Sequence, residues 1–149
     1  MNKFLTKSME KIFNTLDSNL DEFKDKTIMI TGANGLIGGF LSEFFMYLND
    51  DHDFNCKLLL TSLSDNPKRL GNLIFRKDVQ YYSRDLTNDS WFFDEIDFCI
   101  YCAGYAQPNK FLSDAEKTYQ LNVDAMVRTF QSVMLERKKS KMLFISSSE

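Results

Sequence analysis

Thr31-Gly32-Ala33-Asn34-Gly35-Leu36-Ile37-Gly38 stands directly after the apolar run Thr27-Ile28-Met29-Ile30 and directly before a helical pattern from Leu36 to Leu48. Strand, glycine-rich turn and helix in that order make a cradle for a pyrophosphate. Gly32 lets the chain leave the strand in a tight turn, Gly35 admits the backbone close to the phosphates, and Gly38 lets the helix pack near the strand. The N–H groups of the helix start then face the anion. The competing reading is an ordinary strand-to-helix turn.

Working outward, four further short apolar runs follow: Lys57 to Thr61, Val79 to Ser83, Phe98 to Cys102 and Met142 to Ser146. Runs of this kind suit strands buried on both faces of a parallel sheet. Helical patterns alternate with them. Leu36 to Leu48 sets Ile37, Phe40, Leu41, Phe44, Phe45 and Leu48 on one side, and Ser113 to Arg137 carries the stripe Tyr119, Asn122, Met126, Phe130, Val133 and Met134. Pro67 to Phe75 and Asn88 to Phe93 read as shorter crossover helices. The alternation predicts a doubly wound α/β sheet in the order 3-2-1-4-5. Ahead of it, Phe4 to Leu20 has helical spacing and ends in the polar segment Asp17 to Lys26, which predicts an N-terminal helical extension over residues 1–25 packed outside a domain of residues 26–149.

The 149 residues suffice for one domain with a real core, and 44% hydrophobic with 26% charged residues describes a soluble globular chain. A net charge of −3 and a pI near 5.2 give no reason to expect nucleic acid or an anionic membrane as partner. Arg137-Lys138-Lys139 reads as a helix C-terminus complementing its dipole. Three cysteines cannot all pair internally, and no apolar stretch reaches spanning length, so the expected location is the cytoplasm. Cys99 and Cys102 have redox-motif spacing, but three residues apart on a strand they project to opposite faces. His52, the only histidine, lies in an acidic turn and reads as a surface residue; no metal site is expected.

The residues resemble the extended short-chain dehydrogenase/reductase superfamily, in its branch of NAD-dependent epimerases and dehydratases acting on nucleotide sugars, UDP-glucuronate decarboxylase-like members among them. The resemblance runs from Lys26 to Glu149. It rests on Thr31 to Gly38, the pair Asp85-Leu86, Cys102-Ala103-Gly104, Tyr119-x-x-Asn122-Val123, and Ile145-Ser146-Ser147-Ser148-Glu149, in that order.

The resemblance implies a Rossmann domain whose cofactor is held by Gly32, Asn34, Gly35, Leu36, Ile37 and Gly38, with Ser62, Asp85, Leu86, Cys102, Ala103, Gly104 and Asn122. Asp85 would accept from the adenine amino group, or else it caps its own polar turn. Asn122 would organise the active site from beneath, or else it is a structural hydrogen bond. Ser147 would bond the sugar oxygen being oxidised or reduced, and Glu149 would serve in acid–base work or have no such role. The cofactor is NAD by family, with NADP as the alternative: Ser62 stands where an acidic residue usually reads the ribose, and Lys68 and Arg69 follow closely.

Family chemistry also needs a tyrosine four residues before a lysine. None of Tyr47, Tyr81, Tyr82, Tyr101, Tyr105 or Tyr119 has one. The expectation is therefore the N-terminal, cofactor-binding part of an enzyme that oxidises a nucleotide sugar to a keto intermediate by hydride transfer, truncated before the catalytic helix, lacking its substrate domain and inactive alone. The alternatives are a non-catalytic dinucleotide-binding module or an NADP-dependent reductase. Self-association through bare apolar surface is expected as well.

Overall fold

A computed structural model describes residues 3–88, 96–105, 113–135 and 139–146. Five parallel strands form one sheet: β1 (Thr27–Thr31), β2 (Lys57–Ser62), β3 (Val79–Ser83), β4 (Phe98–Tyr101) and β5 (Lys141–Phe144). Their spatial order is β3-β2-β1-β4-β5, the doubly wound arrangement that alternating strands and right-handed crossovers favour. Ile28 lies opposite Leu58 on one side and Phe98 on the other, so β1 is the sheet's middle. The order in which strands are laid down reverses between β1 and β4, and the cleft at such a switch point is where open α/β sheets take ligands.

The two faces of the sheet bury different sets. Ile28, Ile30, Leu58 and Leu60 point to one side, into a cluster with Phe44, Phe45 and Leu48 of α2 (Leu36–His52) and Met9 of α1 (Lys3–Leu16). Met29, Leu59, Cys99 and Tyr101 point to the other, against Ala125 and Val133. The period-two alternation of strands divides Cys99 from Cys102, and all three cysteines are free.

Several local expectations are corrected. α1 stops at Leu16 and a 3₁₀ segment, Asp17–Phe23, carries the chain on, with Leu20 buried and Phe23 packed on the core. Fully buried Met9 makes α1 a contributor to the main cluster. In α2, Ile37 is exposed, whereas Met46 and Tyr47 are buried: the helix is covered by α1 as well as by the sheet, which widens its apolar face beyond one stripe. Pro67 to Phe75 yields only a 3₁₀ turn, Gly71–Phe75. Of the segment Asn88 to Phe93, all but Asn88 lies outside the described residues.

The edge strands depart most. Only Val79 of β3 is fully buried, and Leu143 and Phe144 of β5 are exposed, because each edge has a neighbour on one side only. His52 is half-buried rather than on the open surface. Its ring stacks on Phe13 at 3.6 Å and shares a 3.0 Å hydrogen bond with Tyr47, tying α1 to α2.

The last helix, α3, alternates α-helical segments (Ala115–Tyr119, Ala125–Phe130) with π-turns (Gln120–Asp124, Gln131–Leu135). A π-turn bonds i to i+5 and so needs more residues per revolution. Averaged with the α segments, the inward spacing becomes four: Leu121, Ala125, Thr129 and Val133 face the sheet, while the expected stripe residues Tyr119 and Phe130 are exposed. Tyr101, buried in β4, donates to the Leu121 carbonyl at 2.6 Å within the first π-turn.

Candidate functional site

The glycine turn is fastened to the end of β4. Thr31 ends β1, and its Oγ1 accepts from the N–H groups of both Cys102 and Ala103 at 3.1 Å. Gly32 sits at φ +62°, where a Cβ would approach the Cys102 carbonyl to 2.8 Å and Ala103 Cα to 2.9 Å. Glycine is required there twice over, by backbone sign and by space. A Cβ on Gly38 would come within 2.5 Å of the Gly32 carbonyl, so α2 leans on the turn itself. Gly35 N–H donates to the Gly32 carbonyl at 2.9 Å, and no side chain caps α2 at Gly35. The first N–H groups of α2 have no partner within the helix and remain for an anion.

Around this floor lies a cleft of about 390 Å³, a size suited to a small-molecule ligand. It brings together Gly32, Asn34, Gly35, Ser62, Asp85, Leu86, Cys102, Ala103 and Gly104 from four separate loops. Leu36, Ile37, Gly38 and Asn122 are not on its wall. Leu36 and Ile37 stand exposed at the mouth of α2, and Asn122 backs the wall, its Oδ1 3.2 Å from where a Cβ of Gly104 would be. Ser147 and Glu149 lie outside the described residues.

Asp85 occupies its own turn. Its Oδ1 accepts from the Thr87 N–H at 3.0 Å and the Thr87 hydroxyl at 2.7 Å, and Oδ2 accepts from Asn88 at 3.2 Å. These bonds, the Thr87 hydroxyl first, hold its carboxyl below the usual range. Arg128 of α3 pins the same turn from behind, donating to the carbonyls of Leu86 at 2.9 Å and Thr87 at 3.0 Å. Burial pushes the Cys102 thiol up to about 11, which keeps it protonated and unreactive at neutral pH.

Sequence reasoning missed Thr31, Arg128, and the wall residues Arg84 and Lys117. Arg84 precedes Asp85 and was legible by adjacency. Arg128 carries no local signal, because its partners are 41 and 42 residues away. Among the described residues no group of histidine, cysteine or carboxylate side chains could hold a metal, and no helix is long and apolar enough to cross a membrane.

The chain resembles several solved structures. It aligns with WbmF of Bordetella bronchiseptica, crystallised with NAD+ and UDP, at TM-score 0.65 and 14% identity, covering 87% of this chain and 40% of that one. With a UDP-N-acetylglucosamine 4-epimerase from Methanobrevibacter ruminantium M1 it scores 0.60 at 22% identity, covering 84% and 39%. The YIR035C short-chain dehydrogenase/reductase of Saccharomyces cerevisiae gives 0.63 at 23%, covering 83% and 54%. The chain thus spans about two-fifths of the first two and about half of the third. No curated protein sequence matches it. Identities this low establish the fold, and the family comes from the sequence pattern itself: the model of the NAD dependent epimerase/dehydratase family matches residues 28–149, and the chain belongs to that family.

Proposed function

We propose that this chain is the cofactor-binding part of a nicotinamide-dependent nucleotide-sugar epimerase, dehydratase or decarboxylase. The observation that carries the reading is the interlock of Gly32 with Cys102 and Ala103, which leaves a backbone-floored cleft between the uncapped start of α2 and the ends of β2, β3 and β4. A pyridine dinucleotide fits this floor because a pyrophosphate needs close backbone approach and N–H donors, and both are present. The turn of residues 32–38 would hold the pyrophosphate. The wall of Leu86 and Leu121, with Asp85 at its edge, offers an apolar slot for the base, held in shape by Arg128. When bound, the nicotinamide supplies hydride exchange; the protein supplies position.

The chain contains no tyrosine four residues before a lysine, so the residues present bind and orient but do not complete proton transfer. Three unpaired thiols suit a reducing compartment such as the cytoplasm.

Calorimetric titration with NAD and NADP tests the reading. Saturable binding at one site per chain is expected, with a raised denaturation midpoint. No heat with either nucleotide refutes it. Steady turnover of UDP- or dTDP-sugars by the purified chain would overturn the claim that it is inactive alone.

A further inference from the structure

Asn34 lines the cleft, and its amide is held from outside it. The Arg69 N–H donates to Asn34 Oδ1 at 3.0 Å, while Arg69 is not part of the cleft wall. Only the amide oxygen can accept from an N–H, so this bond fixes which way round the amide sits. Oδ1 and Nδ2 diverge from Cγ. With the oxygen drawn outward to Arg69, the Nδ2 hydrogens are left on the cleft side, and among the described residues they have no acceptor. Such donors, on the wall of a cradle whose floor is also made of N–H groups, suit an anion.

The turn of residues 67–71 keeps this latch in place. The N–H groups of Leu70 and Gly71 donate to the Pro67 carbonyl at 3.0 and 3.2 Å, and Pro67 and Leu70 are buried, so a fixed backbone delivers the Arg69 N–H. The Arg69 side chain runs back over α2, where a Cβ on Gly39 would meet Nε at 2.2 Å and Cδ at 2.4 Å. A glycine inside a helix costs about 1 kcal/mol relative to alanine. The stem that Gly39 admits explains its place: Gly38 closes the glycine turn on itself, and Gly39 seats the turn that latches it.

Resting on the dinucleotide reading, we infer that the Asn34 side chain donates to the pyrophosphate and that Arg69 is the positioning residue which turns those donors toward the anion, with Gly39 as the seat of its stem. Arg69 acts through its N–H and its carbon chain, and its charge takes no part. The pyrophosphate thus meets side-chain donors at Asn34 as well as the backbone N–H groups of α2, each bond strengthened by the ligand's charge.

Calorimetry with NAD and a urea titration, run on the intact chain and on four variants, test this. Asn34→Ala should weaken NAD about tenfold, the worth of a hydrogen bond to a charged group. Asn34→Asp keeps an acceptor for the Arg69 N–H but sets an anion where the donors stood; it should weaken NAD further, with the urea midpoint held. Gly39→Ala pushes the Arg69 stem aside while favouring the helix, and should weaken NAD about threefold with the midpoint unchanged or raised. Arg69→Met, which keeps a stem without charge, should bind NAD as the parent chain does. Full-strength NAD binding by Asn34→Ala overturns the inference while the dinucleotide reading stands. So does an Arg69→Met loss equal to that of Asn34→Ala, or a Gly39→Ala loss matched by a fallen midpoint. No heat from NAD with the unsubstituted chain overturns both together.

Discussion

Gly32 concentrates two demands in one residue, a left-handed backbone and no room for a methyl group beside Cys102 and Ala103. Gly32→Ala should cost about 2–4 kcal/mol from strain and overpacking together, read as a lowered urea midpoint, and should abolish nucleotide binding. A second residue-scale expectation concerns acid. Asp78 accepts two bonds from Arg76 at 2.9 Å, and Arg76 also grips Asp50 at 2.7 and 3.0 Å, joining the end of α2 to the start of β3. The Arg76 bonds hold the Asp78 carboxyl below its ordinary value. Its contribution is therefore complete above the unfolded-state pKa near 4 and is lost as pH falls through the lower folded value. The urea midpoint should fall below about pH 4, and Asp78→Asn should lower the midpoint at pH 7 while flattening that acid limb.

At the scale of elements, α3 does more than cover the sheet. Arg128 reaches from it to two carbonyls of the Asp85 to Thr87 turn. Arg128→Gln should lower the unfolding midpoint, since each charge-assisted bond contributes about 1.5–3 kcal/mol to the fold, and should also weaken nucleotide binding by releasing the Asp85 to Thr87 turn. Calorimetry and a urea titration on the same variant separate the two effects. α3 also shows where the sequence stops being readable. Strands β1, β2 and β4 were legible because continuous apolar runs have one solution in a covered sheet, and the glycine turn because its spacing has a backbone reason. The inward face of α3 was only partly read: Val133 is buried and Met126 packs on the core as expected, but Tyr119 and Phe130 are exposed because a 3.6-residue period was applied to a helix with π-turns, where Tyr101, 20 residues away, bonds the Leu121 carbonyl. At the cleft, the glycines and the Asp85-Leu86 pair were visible, whereas Thr31, Arg128 and Lys117 act through partners that only folding brings near.

For the whole molecule, α3 and the neighbouring edge strand leave apolar side chains in solvent: Tyr119, Val123, Val127 and Phe130 follow each other along the exposed side of α3, and Leu143 and Phe144 are exposed on edge strand β5. Surfaces of this kind associate. Light scattering should show an apparent mass that rises with protein concentration, and Val127→Lys combined with Phe130→Glu should suppress the rise without lowering the urea midpoint. The cleft, by contrast, joins two turns whose backbones touch, with no space between them for so much as one extra carbon. Such a floor offers laboratory evolution nothing to vary. Selection for a different ligand would leave the glycines alone and accumulate its changes higher on the wall, around Ser62, Leu63 and Ser64, where side chains rather than peptide groups decide what is welcome.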